Sequence, residues 1–122
     1  MAAVKTKSIY EPRADEDGLR VLVTRYWPRG VKKNEADLWL KDLGPSPGLI
    51  KKWKQGLVPW VVFEKAYLNE HKTEEKKKAM NGLIEIVKQD RLESVTLMCM
   101  CREETTCHRG LLREMLIEKI GL

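Results

Sequence analysis

The 122-residue sequence contains no run of eighteen apolar residues, which excludes a membrane-spanning helix. Its start, Met1-Ala2-Ala3-Val4-Lys5-Thr6-Lys7, lacks the apolar stretch of a secretory signal, so a cytoplasmic protein is expected. No internal repeat or low-complexity segment interrupts the chain, and the length suits one domain over 1–122. A chain of this size buries roughly two-thirds of its unfolded surface, enough for a single core. Cysteine is scarce. The three present, Cys99, Cys101 and Cys107, fall in one short window, and their odd number in a reducing compartment argues against a disulfide framework.

What is plentiful is charge. Lys plus Arg number 23 against 18 Asp plus Glu, a net charge of +5, with an isoelectric point near 9.2. That surplus suits an anionic small molecule or a nucleic acid as partner and gives no reason to expect a membrane. The Lys76-Lys77-Lys78 run reads as a solvated helix face.

Apolar runs mark the elements. Strands are expected over Val4–Tyr10, Leu19–Thr24 and Ser94–Met100, the last two apolar enough to be interior. The loop between the first two is too short for a helical crossover, so these strands are antiparallel or not adjacent. Helices are expected over Glu35–Leu43, stopped by Gly44-Pro45, and from Pro47 with Ser46 as cap. Others start at Pro59, near Thr73, and at Arg109 or Gly110. Interior strands separated by helices imply an α/β fold: a small, largely parallel central sheet of three to four strands flanked by helices on both faces.

Two constellations could carry chemistry. The first is the turn Thr24-Arg25-Tyr26-Trp27-Pro28-Arg29-Gly30 at the carboxyl end of the second strand, where open α/β sheets bind ligands. Arg25 and Arg29 could fork an anion's oxygens, with Trp27 as a stacking face. Alternatively Trp27 fills the core and the arginines pair with local acids.

The second is Cys99-Met100-Cys101, a polar loop containing Arg102, and then Cys107-His108-Arg109 at a helix start. The amides opening a helix attract anions and lower the pKa of a nearby thiol, and Arg102 and Arg109 add to both effects. Cys101 or Cys107 could be a catalytic thiolate with His108 as proton carrier. The tight loop of thiolate phosphatases and rhodaneses has five residues between Cys and Arg, whereas seven separate Cys101 from Arg109. Cys99, Cys101, Cys107 and His108 also form a legal zinc set, although their spacing matches no common zinc knuckle. A Cys101–Cys107 redox pair is a third possibility. In the plainest reading Cys99 packs in the core, Cys107 and His108 cap the helix, and nothing reacts. No cofactor or metal is assigned, and whether the chain is an enzyme stays open. His71, at a helix end, reads as structural.

The run Asp17-Gly18-Leu19-Arg20-Val21-Leu22-Val23-Thr24-Arg25-Tyr26-Trp27-Pro28-Arg29-Gly30 resembles the signature of the domain of unknown function 488 family, in its YeaO-like branch. Trp39-Leu40-Lys41-Asp42-Leu43, Pro45-Ser46, Leu49, Trp53, Phe63, Tyr67 and Val95-Thr96-Leu97 continue the likeness over almost the whole chain. Two departures stand out. Thr24 takes the place of an acidic residue in that signature, and Cys107-His108-Arg109 resembles the family's other branch. The resemblance implies a small cytosolic α/β domain without specifying a substrate. Both constellations fall on its motif positions, so one shared site at a single sheet edge is expected.

Overall fold

A computed structural model describes residues 3–89, 92–101 and 107–121. Four parallel strands, β1 (Ala3–Ser8), β2 (Leu19–Leu22), β3 (Leu38–Trp39) and β4 (Ser94–Cys99), form one sheet in the order β1-β4-β2-β3. The short link between β1 and β2 is thereby explained: β4 lies between them, so they are parallel but not neighbours.

Strand alternation divides the core. Val21, Val23, Val95 and Leu97 face one side, where they pack with Leu49, Phe63, Tyr67, Leu83, Leu112 and Leu116. These belong to the helices α1 (Pro47–Lys54), α2 (Trp60–Glu70), α3 (Glu74–Gln89) and α4 (His108–Ile120). The opposite face carries a smaller cluster, Ile9, Leu22 and Met98, against Trp27, Val31 and Ala36. It is covered by loops with two 3-10 turns, Asp15–Asp17 and Lys33–Glu35. All six side chains of β4 are buried, as its apolar run predicts.

Arg20 anchors the loop-covered face. Its side chain is fully buried, and its Nη1 donates to Asp17 Oδ2 at 2.6 Å. Its Nε donates to the Glu35 carbonyl at 2.8 Å, so one guanidinium clamps both 3-10 turns.

The expected helix over Glu35–Leu43 does not form. The Asp37 and Leu40 amides donate to the carbonyls of Arg20 and Leu22. Leu38 and Trp39 therefore add to the free edge of β2, and only Lys41–Leu43 coils, as a 3-10 turn. Pairing with a preformed strand edge outweighs the weak helical preference of so short a segment. Ser46 caps α1 as expected, its Oγ accepting the Leu49 amide. Lys76 departs from the solvated-face expectation. It is buried and donates to the carbonyls of Asp42 (3.0 Å) and Gly44 (2.6 Å), tying α3 to the end of the 3-10 turn.

Candidate active site

The carboxyl ends of β2 and β4 and the first turn of α4 meet around a hollow of about 110 Å³. Thr24, Arg25 and Tyr26 come from the segment after β2, and Cys99, Met100 and Cys101 from the end of β4. Cys107 and His108 open α4. Pro45, Ile50, Trp53 and Phe63 make an apolar wall, with Lys54 on the rim. Gly44 keeps that wall close: a Cβ there would stand 2.4 Å from the Arg25 backbone nitrogen.

The two constellations do share an edge, but only in part. Arg25, Cys101, Cys107 and His108 all line the hollow. Trp27 turns to the opposite face of the sheet, where its indole donates to the Val31 carbonyl at 2.8 Å and meets the Trp39 ring edge-on. Arg29 is exposed and outside the hollow. Arg25 is held by local groups, with Asp42 at 3.2 Å and the carbonyls of Pro45 and Gly44 at 3.2 and 3.1 Å. The expected fork of Arg25 and Arg29 around one anion, with Trp27 stacked on it, is therefore not assembled at this edge. Arg102 lies outside the described residues.

The sulfurs converge. The Sγ atoms of Cys99, Cys101 and Cys107 all lie within 4.8 Å of one another. Cys99 and Cys107 are buried with their sulfurs 2.7 Å apart, both as free thiols, while Cys101 is exposed. Period-two alternation puts Cys99 on the helix-facing side of β4, and Cys101, just past the strand, keeps to that side. The Cys101 amide donates to Cys99 Sγ at 3.2 Å. Arg109 is buried directly behind the cluster. Its Nη1 donates to Cys99 Sγ at 3.1 Å and to the Cys101 carbonyl.

These contacts divide the acidity of the three thiols unequally. Hydrogen bonds from Cys107 and then Cys99 hold the Cys101 thiol down to about 3, helped by the Arg109 charge. The Cys99 thiol is pushed up to about 11, chiefly by its hydrogen bond with Cys101. Cys107 is raised as well, first by Cys101.

His108 lies beside the cluster, next to Cys107. Burial pushes its imidazole down to about 4, so the ring is neutral near pH 7. Nε2 lies 2.7 Å from the Val23 carbonyl, which can only accept, so Nε2 carries the proton. Nδ1 therefore presents its lone pair as acceptor to the Cys107 thiol, whose Sγ is 3.7 Å away. Cys107 is the N-cap of α4, but its side chain makes no capping hydrogen bond.

The walls of the hollow escape a reading by motif. Ile50, Trp53 and Phe63 belong to apolar helix stripes, and periodicity does not distinguish a stripe's core end from its cavity end.

Fold and site together define a small parallel α/β protein with a thiol cluster at the carboxyl edge of its sheet. Residues 4–120 match DUF488-N3a, described as the active DUF488-N3 subclade. Over 118 residues the chain is 34% identical to the uncharacterized protein YeaO of Escherichia coli, covering 93% of this chain and 96% of that one. It is 40% identical to the uncharacterized protein Rv3073c of Mycobacterium tuberculosis over 52 residues, under half of either chain. The chain belongs to the DUF488 family, on the side of YeaO. No solved structure matches it.

Proposed function

We propose that this protein is a cysteine-dependent enzyme in which Cys101 is the nucleophile and the adjoining hollow seats the apolar body of the substrate. One observation carries the reading. Of three sulfurs gathered within 4.8 Å, only that of Cys101 belongs to an exposed residue, at the mouth of a largely apolar hollow. The positive end of α4 and the buried Arg109 favour a thiolate there. In the reaction the Cys101 sulfur forms a bond to the electrophilic atom of the substrate, and the leaving group departs with the electron pair of the broken bond. The exposed Lys54 at the edge of the hollow suits an acidic group on that substrate.

The test is site-resolved alkylation with iodoacetamide, read by mass spectrometry on the reduced full chain at neutral pH. Cys101 is expected to react at neutral pH and to keep its rate at pH 6, where a free thiol slows about tenfold, because a lowered pKa keeps the sulfur ionised. Cys99 and Cys107 are expected to stay protected until denaturant is added. A Cys101 rate that falls between pH 7 and pH 6 as a free thiol's does would overturn the reading.

A further inference from the structure

The same cluster has the donor set of a metal centre. We propose that Cys99, Cys101, Cys107 and His108 Nδ1 bind one zinc-like divalent cation in a tetrahedral site. The inference rests on Cys101 being the working sulfur of the site and adds what holds that sulfur in place.

Four independent features of the geometry agree. First, three sulfurs are already gathered within 4.8 Å. With metal–sulfur bonds of about 2.3 Å, tetrahedral ligands stand about 3.8 Å apart. The Cys101 sulfur needs little movement, and the Cys99–Cys107 pair has only to open from 2.7 Å. Second, the tautomer of His108 is set for ligation. Its Nε2 proton goes to the Val23 carbonyl, and the lone pair of Nδ1 is turned to Cys107 Sγ at 3.7 Å, a thiol contact that ligation of both groups would replace. A ligating histidine is usually oriented in this way, by a backbone acceptor on its second nitrogen.

Third, the charge closes. A divalent cation with three thiolates and a neutral imidazole carries one net negative charge, and the Arg109 guanidinium sits 3.1 Å from Cys99 Sγ to offset it. Fourth, Cys99 Sγ also receives the Cys101 amide, a hydrogen bond that stabilises a thiolate. Binding balances simply. Each sulfur still protonated gives its proton to solvent as its metal bond forms, and the imidazole binds without losing one. With Cys101 as the outermost ligand, the metal-bound thiolate nearest the hollow is the one offered to substrate.

The experiment titrates the reduced, metal-free full chain with Co²⁺. Saturation at one Co²⁺ per chain is expected, with thiolate-to-cobalt charge-transfer absorption and the visible bands of tetrahedral cobalt. One equivalent of Zn²⁺ should then erase both. Cys107→Ser and His108→Gln are expected to lose or shift these bands. Trp53→Phe, on the hollow wall, should keep them. Circular dichroism of each variant distinguishes a lost ligand from a lost fold, and the wild-type titration decides the matter if a variant does not fold. Absence of charge-transfer bands in the wild-type chain would overturn the metal centre, as would their persistence in folded Cys107→Ser. The two readings fail separately. Cys101 alkylation that keeps its rate at pH 6 without cobalt binding removes the metal and leaves the nucleophile, whereas cobalt binding with a rate that falls like a free thiol's does the reverse.

Discussion

His108 and Val23 are joined by a 2.7 Å hydrogen bond between an imidazole nitrogen and a main-chain carbonyl. The contact ties the first residue of α4 to the residue just after β2, two stretches far apart in the chain. It fixes the ring's tautomer and its angle to the sulfurs. It also holds the segment after β2 and the start of α4 together at the edge of the sheet where the thiols gather. The Tyr67 ring packs edge-on to the same imidazole at 5.5 Å and limits its rotation.

The buried pair Asp17–Arg20 gives a stability prediction that the active site does not affect. Asp17→Asn leaves the Arg20 guanidinium sealed in the core with only the Glu35 carboxylate, at 3.7 Å, and losing the closer partner of a buried pair costs about 3 kcal/mol. Urea denaturation at neutral pH should show a loss of this size.

Acid should act on the same residue. Burial alone would raise the Asp17 carboxyl, but hydrogen bonds from the Ala14 amide, Lys7 and Arg20 outweigh it and hold the carboxyl below its ordinary 3.8. A depressed acid stabilises the fold above its unfolded pKa and loses that contribution as pH falls through its folded one. The wild-type stability curve should therefore drop below about pH 4. The drop should be shallower in Asp17→Asn, as read by urea midpoints across the acid range.

His71 ends α2, as expected of a structural histidine, but it does not sit there as a cation. Burial, followed by the Lys76 charge, lowers its imidazole from 6.5 to about 4. The unfolded chain therefore binds a proton that the folded chain refuses, and the stability His71 lends is complete above pH 6.5 and lost as pH falls toward 4. Its ring resonance followed by NMR should titrate near 4, and an ordinary midpoint would refute the assignment.

Gly18 supplies a steric test. Its φ of +63° is costly for a residue with a side chain, and a Cβ would come within 2.1 Å of the Ser94 carbonyl oxygen. Gly18→Ala should destabilise the protein by at least about 2 kcal/mol, from backbone strain and the forced separation of β2 from β4. Thermal denaturation would measure it.

The sequence by itself determined the elements whose signals are local. Unbroken apolar runs marked β2 and β4, the Ser46-Pro47 cap began α1, and the cysteines beside a helix start marked a candidate site. Each depends on neighbours a few residues away. Tertiary structure decided the rest. Leu38 and Trp39 became a strand because β2 offered them an open edge. Lys76 was buried because two carbonyls of a distant turn accepted its protons. Trp27 and Arg29 left the hollow because the chain after Tyr26 turns away from it, Trp27 toward the opposite face, and no residue type announces the side to which a turn leads. The three sulfurs became one cluster only when β4 and α4 were folded against each other, since the distance between side chains on different elements is a property of packing.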